Sequence, residues 1–123
     1  MANDFKRFVK KDIGTGEGAS GSTVYTVPAG AGSSALESIV IGITIANKST
    51  AGITCDVFID ALGGATDDVY IVKDASIPAG SSLEVMSGNK LVLQNNGSAG
   101  DVIRVSSNTA TAIDATISVL EDV

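Results

Sequence analysis

The chain has 123 residues, which is enough for one domain with one continuous core. It contains no histidine and one cysteine, which excludes histidine-dependent nucleophilic catalysis, an internal disulfide and a zinc site of several cysteines. The net charge of −6 is uneven: the first thirteen residues carry four bases and two acids, and the other 110 carry four bases and twelve acids. A body with a charge of −8 disfavours nucleic acid as a partner.

The N-terminal stretch MANDFKRFVKKDIG is charged where a signal peptide would be apolar, and no apolar run approaches the roughly 18 residues of a membrane span. We therefore expect a soluble protein that is made inside the cell and has no membrane partner. A first strand is expected near residues 5–11. This stretch also supplies six candidate partner-contact residues: Phe5, Lys6, Arg7, Phe8, Lys10 and Lys11.

Two interpretations of these six residues stay open. The stretch could dock on an acidic neighbour, including another copy of the same chain. Equally, it could be an edge strand whose lysines discourage unwanted pairing.

Residues 16–21 read GEGASG, the G-x-G-x-x-G spacing of a dinucleotide-binding loop. Such a loop needs a helix directly after it, because the helix N-terminus faces the pyrophosphate. The following residues, STVYTVPAG, are β-branched and end at a proline, so they predict a strand instead. We interpret 1–21 as a basic segment and a flexible glycine-rich loop joining the first two strands, and 22–123 as the main domain.

Apolar residues recur with a period of two in three long runs, which indicates strands. In the first run Ile39, Ile41, Ile43 and Ile45 point one way while apolar or small residues point the other, which predicts a central strand covered on both faces. The second run, 53–60, is expected to be half buried, and the third covers 113–120. Shorter strand-like runs lie at 22–27, 68–72, 83–86, 90–93 and 102–106.

Clusters of Gly, Pro, Asn and Ser separate these runs every eight to twelve residues, a spacing typical of an antiparallel sandwich or barrel. PAG occurs at 28–30 and at 78–80, and each proline is expected to end a strand. The only candidate for a helical turn is 33–38.

Three further groups of residues are candidate sites. Four acids, Asp60, Asp67, Asp68 and Asp74, could offer oxygen ligands to calcium, but without the usual loop spacing a solvated hairpin end is favoured. Tyr25 or Tyr70 could stack on a sugar ring, although cross-strand packing is the simpler role. Cys55 lies on the apolar side of its strand, so we expect a buried thiol. We expect no catalytic residue, no cofactor and no metal.

Segments between residues 22 and 121 resemble small virion structural proteins of tailed bacteriophages, particularly those of marine cyanobacteria, and AGDVIRV is similar to segments in jelly-roll domains of trimeric surface proteins. The segments are YTVPAG at 25–30, VIGITIANKSTAGITCDVFI at 40–59, PAGSS at 78–82, KLVL at 90–93 and AGDVIRV at 99–105. The resemblance implies a building block present in many virion copies, and it supplies no catalytic residue or ligand.

From these observations we predict an all-β antiparallel sandwich, jelly-roll-like, with eight or nine short strands. The expected function is a non-enzymatic virion structural protein, first of all a capsid decoration or cement subunit. Its expected partners are the major capsid or tail protein and further copies of itself, with a trimer favoured. The alternative is a tail, neck or fibre component, including a module that binds host glycans.

Overall fold

The computed structural model describes residues 3–61, 68–86 and 90–122, and within them the chain forms nine strands and one short 3-10 turn, Gly18–Ser20. The strands are β1 (Asn3–Lys10), β2 (Ser22–Thr26), β3 (Leu36–Asn47), β4 (Ile53–Asp60), β5 (Asp68–Ile77), β6 (Ser82–Glu84), β7 (Leu91–Asn95), β8 (Val102–Ser107) and β9 (Ile113–Asp122). Sheet A has the order β1-β9-β3-β6, and β7 also pairs with β3; sheet B has the order β2-β8-β4-β5. The predicted antiparallel β-sandwich is confirmed.

The strands pair in a nested order. β4 pairs with β5, β3 with β6 and β7, β2 with β8, and β1 with β9, so each outer pair encloses the pairs inside it. Successive pairs lie alternately in sheet B and sheet A, and the contacts β3–β9 and β4–β8 complete the two sheets. This arrangement is a long antiparallel hairpin rolled into two layers, which is a jelly roll.

Aliphatic side chains from both sheets fill the space between the layers. Val40 and Ile117 of sheet A and Val57 and Ile103 of sheet B are each fully buried. Cys55 lies in the same core, as expected, and its burial raises the pKa of the thiol to about 11. The core therefore holds a thiol that stays protonated at neutral pH.

The expectation that β3 is covered on both faces is wrong. Val40 pairs with Val119 and Gly42 with Ser118, so Ile41 is an extra residue that forms a β-bulge. Because of the bulge, the inward positions are even-numbered up to Val40 and odd-numbered from Ile43 onward. Ile41 itself is 43% exposed, and the outer face of β3 is open to solvent rather than covered.

The expectation that β4 is half buried is also wrong, because the chain covers the outer face of sheet B with its own loop. Phe58, on the outer side of β4, has no exposed surface. A Cβ on Gly21 would lie 2.8 Å from Cζ of Phe58, so the loop backbone packs directly on this ring. Arg104 donates from Nη1 to the carbonyl of Gly21 at 3.1 Å, and the amide of Ser107 donates to the carbonyl of Gly14. The glycine-rich loop thus forms a cover for sheet B.

The helical turn expected at 33–38 is wrong as well. The chain makes a tight turn through Gly32 and Ser33, both with positive φ, and a bridge between Gly30 and Ser34 closes this turn. β3 then begins at Leu36, whose side chain is buried in the core. A turn of this kind reverses the chain in fewer residues than a helical turn would need.

Candidate functional site

The six residues predicted from the sequence as partner contacts lie on β1 or directly after it. Among the described residues, β1 pairs with β9 alone, from Asn3 opposite Asp122 to Lys10 opposite Ala115, so β1 is an edge strand of sheet A. Phe5, Arg7 and Val9 share the outer side of this strand. Phe5 is 78% exposed and Val9 63% exposed. The edge therefore presents two large apolar side chains to solvent.

The inner side of β1 holds the strand to the core. The ring of Phe8 lies 4.7 Å from the ring of Tyr25, centroid to centroid. Lys6 reaches inward, and its Nζ is 2.9 Å from Oε1 of Glu121, a carboxylate with 1% exposure. This ion pair raises the pKa of Lys6. Two of the six predicted contact residues, Lys6 and Phe8, thus make internal contacts, although 42% of the Lys6 side chain is exposed. The other four, Phe5, Arg7, Lys10 and Lys11, are exposed as well.

Glu121 is the centre of a buried polar network that joins β1, β2, β3 and β9. The hydroxyl of Tyr25 donates to Oε2 of Glu121 at 2.6 Å and lies 3.0 Å from Oγ of Ser38. Burial, and then the hydrogen bond to Glu121, raise the pKa of Tyr25. Sequence reasoning missed this network, although Glu121 continues the alternation in which Ile117 and Val119 point inward. The signal in the sequence was that Glu121 holds an odd-numbered position in β9, as the inward-pointing apolar residues of that strand do.

The outer face of sheet A carries a row of apolar side chains across four strands. Phe5 of β1 is opposite Leu120 of β9, Leu120 is opposite Ile39 of β3, and Ile39 is opposite Val92 of β7. The two middle residues are half buried, whereas Val92 is 56% exposed. Together with Ile41 at the bulge, they form what we call the apolar row. Exposed apolar surface that is continuous across strands is typical of contact surfaces.

The acidic residues of sheet B make structural contacts. Asp56 accepts a hydrogen bond from the amide of Asp74 at 2.7 Å and another from Nζ of Lys73 at 3.2 Å. Burial alone would raise the pKa of Asp56, but the hydrogen bonds from the Asp74 amide and from Lys73 hold it below the ordinary value. Oδ2 of Asp60 is 3.2 Å from Nε of Arg104. These carboxylates therefore fix β5, β8 and the loop in their positions.

The candidate calcium ligands are not gathered into a site. Asp60 and Asp68 are opposite each other at one end of β4 and β5, whereas Asp74 lies further along β5 beside Asp56. Asp67 lies outside the described residues. In the described ranges, no three residues among His, Cys, Asp and Glu are grouped so that they could hold a metal ion.

The two tyrosines considered for sugar stacking differ in exposure. Tyr25 is 2% exposed, so it cannot present its ring to a ligand. Its ring packs against Phe8 of the other sheet, so the cross-strand packing on a half-exposed face that was expected for it is wrong. Tyr70 is 40% exposed, but Phe58 lies 5.1 Å from its ring and Nζ of Lys73 lies 4.9 Å from it. Its hydroxyl donates to Glu17 of the loop at 3.0 Å. The ring of Tyr70 thus serves to hold the loop on sheet B.

The glycine-rich loop does not lead into a helix. After Gly21 the chain enters β2, as the β-branched residues predict, and the only helical geometry in the described part of the loop is the three-residue turn Gly18–Ser20. The dinucleotide spacing at 16–21 therefore lacks the helix N-terminus that would bind a pyrophosphate.

The surface depressions found on the described residues are shallow. One of about 450 Å³ lies where β1 ends against β9, and its lining includes Lys10, Lys11 and Asp114. Another of about 220 Å³ lies beside the loop, near Glu17 and Asp56. In the second depression Ser106 is opposite Asp56, whose carboxylate accepts hydrogen bonds from Lys73 and from the amide of Asp74.

No known protein family, no curated protein and no solved structure matches this chain. No helix among the described residues is long and apolar enough to cross a membrane.

Proposed function

We propose that this chain is a non-enzymatic structural protein of a tailed-bacteriophage virion, and that it acts as a decoration or cement subunit bound to the capsid in many copies. The observation that carries the proposal is the apolar row on the outer face of sheet A beside the edge strand β1. The two sheets differ in this respect, because the loop covers sheet B while the outer face of sheet A stays open. A protein with one covered face and one open apolar face is suited to docking.

Two further features support assembly rather than catalysis. The chain has no histidine, and Asp56, Asp60 and Glu121 are engaged in contacts that hold strands together. Jelly rolls occur in viral capsid proteins but also in lectins and cupins, so the fold alone does not separate these functions. The resemblance of segments between residues 22 and 121 to phage virion proteins is what favours a role in the virion.

The charge distribution indicates how the subunit would meet its neighbours. Arg7, Lys10 and Lys11 are exposed on and after β1, whereas the rest of the chain is acidic. An acidic surface on the major capsid protein would attract this edge, and backbone pairing along β1 could add to the contact. Many weak contacts of this type sum on a particle, because the lattice holds each subunit near its next site.

Mass spectrometry and denaturing gels of purified virions test the proposal. We expect the chain in a fixed, high copy number, and we expect the isolated protein to bind empty capsids at saturable stoichiometry. Absence of the chain from intact particles would overturn the proposal. Loss of the chain together with detached tails would assign it to the tail, neck or fibre instead and would overturn the capsid role.

A further inference from the structure

The depression of about 220 Å³ beside the glycine-rich loop is lined by polar residues throughout its described part. Its base is the outer side of sheet B, where Asp56 of β4 and Ser106 of β8 are opposite each other. Glu17 of the loop lines it from one side, and Asn108, which follows β8, lines it as well. Polar side chains from two strands, a loop and a turn therefore meet around one small space.

The hydroxyl of Ser106 in this depression is free to bind a ligand. Ser106 is 2% exposed. Its neighbour Asp56 uses Oδ1 for the amide of Asp74 and Oδ2 for Nζ of Lys73. Among the hydrogen bonds that the described residues form with one another, none involves the Ser106 side chain. Buried hydroxyls are normally hydrogen-bonded, so this one is an unused donor and acceptor at the base of the depression.

Two other groups in the depression also keep hydrogen-bonding capacity. Oδ1 of Asn108 accepts a hydrogen bond from the amide of Thr54 at 3.2 Å, and Nδ2 of the same side chain has no acceptor among the described residues. The carboxylate of Asp74 is exposed and makes no hydrogen bond or ion pair with the described part of the chain. The depression thus offers an amide donor, a carboxylate acceptor and a hydroxyl that can act as either.

The charges around the depression select the class of ligand. Glu17, Asp56 and Asp74 would repel an anion. A metal ion is disfavoured, because in the described ranges no three residues among His, Cys, Asp and Glu are grouped to hold one. An organic cation would meet Nζ of Lys73, which lies 3.2 Å from Asp56 and 3.6 Å from Glu17. These exclusions favour a neutral molecule that is rich in hydroxyl groups.

We propose that this depression binds one neutral sugar ring or a polyol of similar size. One ligand hydroxyl donates to the carboxylate of Asp74, an adjacent hydroxyl accepts from Nδ2 of Asn108, and Ser106 bonds to either of them. A small polar site of this kind holds a single ring and binds it weakly. The proposal goes beyond the structural role in the virion, and it uses sheet B, whereas the proposed capsid contact uses the outer face of sheet A.

An NMR titration of the isotope-labelled full chain tests the site. The probes are glucose, galactose, mannose, N-acetylglucosamine and myo-inositol, each added to high millimolar concentration. We expect at least one probe to shift the amide signals of Thr15, Ser107 and Asn108 saturably and to leave that of Val92 on sheet A unchanged. Calcium chloride and sodium phosphate should not shift the first three signals. Saturable shifts with either salt, and with none of the five probes, would overturn the proposal.

Two variants connect the binding to the named groups. Ser106→Ala should weaken binding about three- to tenfold, the effect of one lost hydrogen bond, and should not lower the melting temperature, because the hydroxyl has no partner in the chain to lose. Asp74→Asn should weaken binding to a similar degree, and asparagine tolerates the positive φ of 53° at this position. Ser118→Ala is the matched control, because Ser118 is exposed on β9 of sheet A. It should leave binding unchanged.

A glycan array that displays the same sugars as terminal residues separates two sources of the ligand. Binding to the array and to the free sugars would assign the site to glycan ends, and binding to the free compounds alone would assign it to a small molecule. No saturable shift with any of the five probes would overturn the proposal. Binding that survives both variants unchanged, or a Ser106→Ala variant that loses stability but keeps its affinity, would overturn it as well.

Discussion

Tyr25 and Glu121 form a buried polar contact in which the Tyr25 hydroxyl is the donor to Oε2 of Glu121, while Oε1 of the same carboxylate faces Lys6. Tyr25→Phe keeps the ring packing against Phe8 and removes only this donor. We expect a loss of about 1–3 kcal/mol in the free energy of unfolding, the usual range for leaving a buried polar group without a partner. Urea unfolding followed by fluorescence or circular dichroism measures the loss.

Tyr70→Phe is the control for this prediction. It also removes one hydroxyl that donates to a glutamate, Glu17, but at a site where the ring is 40% exposed and water can replace the bond. Its effect should be clearly smaller. Equal losses for the two variants would show that burial of the Glu121 network does not matter.

Asp56 gives the protein a stability that depends on pH. Hydrogen bonds hold the pKa of Asp56 in the folded chain below the ordinary 3.8. As the pH falls, the carboxylate of Asp56 is therefore protonated in the unfolded chain at a higher pH than in the folded chain. The stabilisation is therefore present at neutral pH, and it is lost as the pH falls through the lowered pKa of the folded state.

Asp56→Asn should reveal this contribution. We expect it to reduce the free energy of unfolding by about 1 kcal/mol at neutral pH. The difference from the unmodified chain should shrink as the pH falls below 3.8. Urea unfolding at a series of pH values measures it, and Lys73→Met, which removes the facing cation, should show the same convergence. A difference that stays constant with pH would contradict the assignment.

At the scale of elements, β9 and β3 show where periodicity succeeds and where it fails. In β9 the alternation of Ile113, Ala115, Ile117 and Val119 holds along the strand, so the sequence predicts its buried side correctly. In β3 the isoleucines alternate just as regularly, but the bulge at Ile41 moves the inward side from even to odd positions. A period of two carries no information about an inserted residue, because both sides of this strand are apolar or small.

Deletion of Ile41 tests the bulge. Without it, Val40 would be followed by Gly42 and Ile43, and the inward positions Val40, Ile43 and Ile45 would alternate regularly. We expect this variant to fold cooperatively and to lose less than about 2 kcal/mol, within the range of ordinary single changes. Thermal unfolding by circular dichroism measures the effect.

Deletion of Thr44 is the comparison for the bulge. It lies in the regular part of β3, where Thr44 is opposite Thr116, and its loss would turn Ile45 and Asn47 outward. This variant should unfold at far lower temperature or fail to fold. If both deletions were tolerated equally, the register of β3 would not depend on the core.

At the scale of the whole molecule, the fold class follows from the sequence, but the apolar row on the outer face of sheet A does not. The runs of strand-forming residues and the turns between them predict a sandwich, but they do not predict the order of the strands in its sheets. The apolar row depends on residues from four strands, and Phe5 and Val92 are far apart in the chain. The cover on sheet B was equally hidden, because nothing in GEGASG indicates that Gly21 lies on Phe58.

The pairing of Asn3 with Asp122 brings the two described ends together. A circular permutant that joins these ends through a short glycine linker and opens between Ala79 and Gly80 should therefore fold, because that turn is exposed and leaves every strand intact. We expect its melting temperature within about 10 °C of the unmodified chain. A permutant opened between Ile43 and Thr44 should not fold, and failure of both would contradict the nested pairing.

The nested pairing also fixes an order of events during synthesis. β1 leaves the ribosome before its partner β9, so β1 waits without that partner while the seven strands between them, β2 to β8, are made. During that wait Phe5, Phe8 and Val9 are open to any other unfinished strand nearby. The cations interleaved with them, Lys6, Arg7, Lys10 and Lys11, would keep neighbouring nascent chains apart by mutual repulsion.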